Sequence, residues 1–497
     1  MSTYVVPDVN VIDGLNHRFK TKPYPHQLAC FKQSKDLEAF AVLADMGTGK
    51  SHIIVNTAAW LYGQGKINAL LIVAPKSLRL TWANDEIPTH MPDAVYEQTV
   101  LRVGKPSMYD SKIDDIFGKL DPIKLYVLVI NIDALSTKRG VEFVRRFLLC
   151  HDAMMVIDES TTIKNSTNLR SKAASKLGKL ACYRRILTGT PVTKSPLDVF
   201  GQFNFLDPEI LGCSSYYAFK NHYATLALRR MGSRAFNQVT GYQNIGELKA
   251  LIAPHSFRVV KEEVLKDLPA KVYSKRYVEL GPNQTRIYDQ LKHKMIAEIE
   301  AGKYVSTQLA ITQLLRLHQI VSGWVKDDLG QVTMLEPTPP KLTAVHEIVE
   351  SLPEDAKVII WACYVKDVQD ITASLNAAYP RSAAAFYGQV TADRRQEIVR
   401  QFQDSSSNLR FFVGQADTGG RGLTLTTASV VIYYSNDYDL EIRLQSEDRA
   451  HRIGQESSVL YVDLIVKGTV DEKIVEALRS KRSLASEVTG DNLRAWL

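Results

Sequence analysis

The chain has 497 residues, 45% of them hydrophobic and 23% charged, a composition that excludes collagen-like and intrinsically disordered classes. At roughly 150 residues per domain the length points to about two to four cooperating units. The formal net charge of +7 suits a polyanionic partner without requiring one. No run of about 18 apolar residues is present, so no membrane span is expected. Residues 1–10 lack the basic and apolar regions of a secretory signal, and the expectation is a soluble, intracellular protein without membrane contact.

Five scattered cysteines, Cys30, Cys150, Cys182, Cys213 and Cys363, form no C-x-x-C pair and are read as small buried hydrophobes, not as disulfide or zinc ligands. The basic doublets Lys138-Arg139, Arg145-Arg146, Arg184-Arg185, Arg229-Arg230 and Lys481-Arg482 are read, taken singly, as solvated surface rather than phosphate contacts.

In chain order, short apolar runs at residues 39–43, 69–73, 125–130, 154–157 and 185–187 are strand candidates, with helical periodicity between them at 51–62 and 171–180. Strands alternating with helices call for a parallel sheet covered on both faces. From about 196 to 341 the pattern is mainly helical, notably at 283–300 and 306–321, and the extended 270–280 follows a boundary placed at Leu268-Pro269. The strand rhythm returns at 357–361, 383–387, 410–413, 430–433 and 459–464. The expected fold is α/β with two tandem lobes. Residues 1–268 form the first, with a helical insertion at about 196–260, and residues 269–497 the second, with a helical insertion at about 283–335.

Three segments carry chemistry. Ala44-Asp45-Met46-Gly47-Thr48-Gly49-Lys50-Ser51 follows a strand and opens a helix, the setting of a phosphate-binding loop. Gly47, Thr48 and Gly49 offer backbone N–H groups to phosphate, Lys50 a positive charge, and the Ser51 hydroxyl a Mg²⁺ ligand. Val156-Ile157-Asp158-Glu159 ends an apolar strand in two carboxylates; Asp158 suits Mg²⁺ and Glu159 the orientation of an attacking water. In the late segment 445–455 a helix places Gln445, Arg449 and Arg452 at i, i+4 and i+7 on one face, which suits two guanidiniums to a γ-phosphate.

Read in order, these segments resemble the Snf2 branch of superfamily 2 helicase-like ATPases, in a minimal form of prokaryotic or phage type. Pro25-His26-Gln27 resembles the family's adenine-recognising motif, which implies that Gln27 binds nucleotide. Ala74-Pro75-Lys76-Ser77-Leu78 with Trp82, and Thr188-Gly189-Thr190-Pro191, resemble motifs that imply nucleic-acid contacts at Pro75, Lys76, Ser77 and Thr190. Asp417-Thr418-Gly419-Gly420-Arg421-Gly422-Leu423-Thr424 is similar to motif V. It implies nucleotide contacts at Gly420 and Gly422 and a nucleic-acid contact at Thr424, while glycine-rich 419–422 suits close approach to either partner. The ending Arg452-Ile453-Gly454-Gln455 is what points to Snf2 within the superfamily.

The resemblance implies two RecA-like lobes, ATP and Mg²⁺ as substrate and cofactor, catalysis by Lys50, Asp158, Glu159, Arg449 and Arg452, and translocation on duplex or branched DNA. One departure stands out: Ser160-Thr161 follows Glu159 where the family usually has Ala-His, leaving a smaller hydrogen bond from Thr161 to serve motif III. Three other readings stay open: a strand-separating DNA or RNA helicase, an ATP-gated clamp with slow hydrolysis, and the motor subunit of a larger machine.

Overall fold

Residues 69–74, Ala-Leu-Leu-Ile-Val-Ala, carry no polar side chain, as a strand covered on both faces requires. In the computed structural model they form a fully buried strand at the middle of a sheet. The structure describes residues 17–489 apart from 77, 105–114, 118–120, 214, 232–233, 265–267, 301–306, 328–329, 420–422, 453–454 and 456. The chain divides into two compact units, one built on residues up to Val264 and the other on Leu265–Lys481.

Unit 1 holds β1 (Ala39–Ala44), β2 (Ala69–Ala74), β3 (Thr99–Val103), β4 (Leu125–Asn131), β5 (Ala153–Asp158), β6 (Tyr183–Thr188), β7 (Ala224–Met231), β8 (Arg234–Tyr242) and β9 (Ser256–Val259). Seven of them form one sheet in the order β3-β4-β2-β5-β6-β1-β9, with every pairing parallel. Successive side chains point to opposite faces. Accordingly, Leu71 and Val73 join the core beneath helices Lys138–Cys150 and Val199–Leu206, while Leu70 and Ile72 join the core beneath helix Lys50–Gly63.

Unit 2 holds β10 (Lys271–Val278), β11 (Trp324–Lys326), β12 (Val332–Met334), β13 (Lys357–Trp361), β14 (Ala383–Phe386), β15 (Phe411–Gly414), β16 (Ala428–Tyr433) and β17 (Val459–Val466). Its parallel sheet runs β10-β17-β16-β13-β15-β14. Val358 and Ile360 enter one core, Ile359 and Trp361 the other. The two long helices Pro282–Glu300 and Thr307–Ser322 stand where helical periodicity places them.

Several expectations need correction. The stretch 196–260 contains helices Val199–Leu206, Tyr216–Tyr223 and Ile245–Ile252 but also the antiparallel pair β7–β8 and the edge strand β9. Short β11 and β12 likewise interrupt the helical stretch of unit 2. Of the cysteines, only Cys30 is buried; Cys150, the last residue of its helix, and Cys182, in the turn before β6, are exposed, and all five are free thiols. Arg185 is no surface residue. It is fully buried and donates to the carbonyls of Ser34, Leu37, Glu38 and Arg184 at 2.7–3.1 Å, tying helix Pro25–Ser34 to the sheet, and burial lowers its pKa to about 10.

Candidate functional site

Because every strand of the unit 1 sheet runs the same way, the segments leaving β1, β2, β5, β6 and β9 emerge on one edge, where ligands of open α/β sheets bind. There the residues after β1 turn through Gly47 at φ 77° and Gly49 at φ 82° into helix Lys50–Gly63. Both glycines occupy the left-handed region that a side chain disfavours. At Gly49 an added Cβ would also come within 2.0 Å of Gln27 Nε2 and displace the glutamine that braces the loop.

The loop is braced from behind. His26 Nε2 donates to the Thr48 carbonyl at 2.8 Å, and Gln27 Nε2 donates to the same oxygen at 3.1 Å. Gln27 Oε1 accepts the Tyr24 N–H at 2.8 Å, so this glutamine holds helix Pro25–Ser34 against the loop. Thr48 Oγ1 bonds the Asp45 carbonyl at 2.7 Å, and the Lys50 ammonium folds back onto the Ala44 carbonyl at 2.9 Å. A third brace was not legible in the sequence. Arg258, on β9, makes an ion pair with Asp45 at 2.9 Å and donates to the carbonyls of Leu43 and Gly189 at 3.1 and 3.2 Å. Lys261 N–H adds a bond to Asp45 Oδ2 at 3.0 Å.

Asp158, the last residue of β5, is 6% exposed and Glu159 4% exposed. Asp158 Oδ2 accepts Trp82 Nε1–H at 2.7 Å and Oδ1 accepts the Glu159 N–H at 2.9 Å. Burial pushes the Asp158 carboxyl above its ordinary range, against the opposing pull of the Trp82 donor and the Lys50 charge. A carboxylate so placed gains from a bound cation, and it shares the sheet edge with the half-buried Ser51 hydroxyl. These are the hard oxygen donors that suit Mg²⁺. Glu159 sits at φ 50°, ψ 60°, a left-handed conformation that costs a side-chain-bearing residue about 1–2 kcal/mol and clusters at functional sites.

Beyond Glu159 a further hydrogen bond comes from the next residue. It is Ser160 Oγ that donates to Gln202 Oε1 at 2.7 Å, and Gln202 Nε2 donates to the Pro191 carbonyl at 2.7 Å and the Asp198 carbonyl at 2.9 Å. Ser160 and Gln202 are both fully buried. Thus the residue next to Glu159 is wired through one glutamine to the Thr188-Gly189-Thr190-Pro191 segment. Thr190 is half-buried, its N–H bonded to Thr188 Oγ1 at 3.1 Å, and a Cβ on Gly189 would stand 3.3 Å from Met46 N. After β2, Pro75 is buried and Lys76 exposed, whereas Ser77 lies outside the described residues.

In unit 2, helix Leu440–Ala450 ends before Arg452, so Gln445, Arg449 and Arg452 do not share one helical face. The helix stops because His451 leaves helical geometry to bond the Pro269 carbonyl at 2.7 Å, and Gln455 Nε2 takes the Ala450 carbonyl at 3.1 Å. Buried Gln445 instead bonds Glu441 at 3.0 Å. The two guanidiniums still converge on one segment: Arg449 Nη1 donates to the Leu423 carbonyl at 3.1 Å and Arg452 Nη1 to Thr424 Oγ1 at 3.3 Å. Gly420 and Gly422 lie outside the described residues.

The helix itself is held by a buried charge cluster. Arg443 pairs with Glu447 at 2.9 Å and Asp463 at 2.5 Å and lies over the Tyr433 ring at 3.5 Å, while Tyr273 and Lys271 on β10 reach the same Glu447 at 2.8 and 3.3 Å.

Two family profiles match the chain, the first running past Val264 into unit 2. The profile of the SNF2-related domain matches residues 32–323, and that of the helicase conserved C-terminal domain residues 340–454. An uncharacterized ATP-dependent helicase of Mycoplasma pneumoniae is 27% identical over 484 residues, covering 96% of this chain and 43% of that protein. The DNA annealing helicase and endonuclease ZRANB3 of Mus musculus is 28% identical over 492 residues, covering 97% of this chain and 42% of that protein. The chain therefore spans less than half the length of these curated relatives. Among solved structures, the Sulfolobus solfataricus SWI2/SNF2 ATPase core in complex with dsDNA aligns at 25% identity and a TM-score of 0.41, over 96% of this chain and 95% of that one.

Proposed function

The chain belongs to the SNF2-related family and carries its helicase C-terminal domain, and from that premise we propose that it hydrolyses ATP to translocate on duplex DNA. The observation that carries this reading is the single sheet edge where the braced loop Gly47–Ser51 stands with the buried Asp158 and Glu159.

In this reading the N–H groups of residues 47–51 take the β- and γ-phosphates, and Lys50 swings from the Ala44 carbonyl to the phosphate oxygens. Ser51 and Asp158 would hold Mg²⁺, which would supply positive charge against that developing on the phosphate oxygens. Glu159, held in its left-handed conformation, orients and polarises the attacking water. Arg449 and Arg452 of unit 2 supply the remaining positive charge, and loss of either lowers the rate on the order of 10³-fold. Gln27 keeps the loop in place from behind and is proposed to read the adenine from the same position.

Coupling to the track follows from the wiring. Ser160 and Gln202 connect Glu159 to the segment containing Thr190, which with Pro75, Lys76, Ser77 and Thr424 is proposed to contact nucleic acid. The similarity to a DNA annealing helicase supports DNA as that track. Translocation and unwinding are told apart by substrate. The chain is expected to displace a triplex-forming third strand with ATP and to leave the two strands of a plain duplex paired; ATP-dependent strand separation without triplex displacement would replace this reading with a strand-separating helicase.

A further inference from the structure

The antiparallel pair β7–β8 belongs to neither large sheet. It interrupts unit 1 between helices Tyr216–Tyr223 and Ile245–Ile252, and nothing in the catalytic account uses it. Its base is anchored: Ala224 is buried, and Leu226, Val239 and Tyr242 pack against the unit 1 core. Register shifts between Thr225, opposite Gly241, and Leu226, opposite Val239, leaving Thr240 as an extra residue. Such a bulge bends and twists a ribbon, here where it leaves the core.

Beyond that point the described side chains become exposed. Leu228 is 65% exposed, and Arg229, Asn237 and Gln238 are exposed as well. The pairing continues through Arg229 with Phe236, Arg230 with Ala235, and Met231 with Arg234. From Ala224 to Met231 the strand extends roughly 24 Å at about 3.4 Å per residue.

The chemistry of this arm is one-sided. Residues 210–246 contain Lys220, Arg229, Arg230 and Arg234 and not one Asp or Glu. Arg229 Nε donates to the neutral amide oxygen of Gln238 at 3.2 Å. The phosphates of a nucleic acid would supply the negative charge this run lacks. A two-stranded ribbon also has the width that the major groove of B-DNA admits, about 12 Å, with phosphates on either side.

We infer that β7–β8 is a duplex-DNA-binding arm, its arginines contacting the phosphates that flank the groove the ribbon enters. The inference rests on the proposal that duplex DNA is the track and adds to it a grip outside the motifs. Phosphate contacts give affinity without sequence preference, as a motor that moves along DNA requires.

The test uses the full chain and an R229Q/R230Q/R234Q variant, with R229K/R230K/R234K as the charge-preserving control. Each phosphate contact contributes about 0.9 to the slope of log affinity against log salt. The glutamine variant should lose about 2–3 from that slope and need at least about tenfold more duplex for half-maximal ATPase stimulation at low salt. Its ATPase rate without DNA and its melting temperature should match wild type, and the lysine variant should keep most of the slope. Unchanged slope and half-maximal DNA concentration in the glutamine variant, with wild type still stimulated by duplex, would overturn the arm and leave the track reading standing. A wild type that neither binds nor responds to duplex would instead remove the reading on which the arm rests.

Discussion

Gln202→Met isolates the wire between the water-orienting carboxylate and the Thr188–Pro191 segment. The substitution keeps the length of the side chain and removes the amide oxygen and the amide NH₂, so a fully buried Ser160 hydroxyl loses its acceptor at 2.7 Å and the Pro191 carbonyl its donor at 2.7 Å. Each buried polar group left unpaired costs about 1–3 kcal/mol, which gives about 2–6 kcal/mol for these two groups in unit 1. At about 2–4 °C per kcal/mol for a unit of this size, its calorimetric transition should fall by roughly 4–24 °C. Ser160→Ala separates the wire from general destabilisation through a double-mutant cycle. In the wild-type background it leaves Gln202 Oε1 unpaired; in the Gln202→Met background there is no bond left to lose. The expected coupling energy is about 1–2 kcal/mol, accompanied by lower DNA stimulation of ATPase in either single variant than in wild type. Costs that add to within about 0.5 kcal/mol would refute a wire through these two residues.

Two further predictions concern stability. Lys341 and Asp471 form a buried pair at 2.6 Å, with Lys341 also donating to the Tyr434 carbonyl at 3.0 Å, so Lys341→Met strands a buried carboxylate and should destabilise unit 2 by about 3–5 kcal/mol. Adding Asp471→Asn should restore part of the loss by removing that charge, and calorimetry showing a neutral Lys341→Met would contradict the pairing. His17, His52 and His90 are all held below the ordinary histidine pKa, chiefly by burial, and His52 reaches about 4. Between pH 4 and 6.5 these three histidines bind more protons in the unfolded chain than in the folded one, so their contribution to unit 1 stability rises with pH through that window. The His52 share is about 3 kcal/mol, read as a rise in the unit 1 melting temperature that is diminished in His52→Gln.

The central strands were legible because burial on both faces leaves them few polar positions: β2, β5, β13 and β16 announce themselves as unbroken apolar runs. The edge strands of unit 1 were not, since Arg102 in β3 and Arg258 in β9 break the apolar run. Residues 224–231, Ala-Thr-Leu-Ala-Leu-Arg-Arg-Met, are mostly good helix formers, and only their pairing with β8 makes them a strand. The Gly232-Ser233 pair between them was the available hairpin signal.

At the site, the loop and the two carboxylates are local in sequence and could be read there. Their supports are not. Trp82 reaches Asp158, Arg258 reaches Asp45 and Gln202 reaches Ser160 only because the sheet order brings distant segments to one edge. The end of helix Leu440–Ala450 was misread for a related reason: nothing in residues 445–455 shows that His451 will be drawn to the carbonyl of Pro269.

Steady-state ATPase activity of wild type and Glu159→Gln, each with no nucleic acid, single-stranded DNA, duplex DNA, forked DNA or RNA, tests the proposed motor most directly. The account predicts strong stimulation of wild type by duplex or forked DNA and its abolition in Glu159→Gln. Equal wild-type rates with and without nucleic acid, or a Glu159→Gln variant as active as wild type, would contradict it.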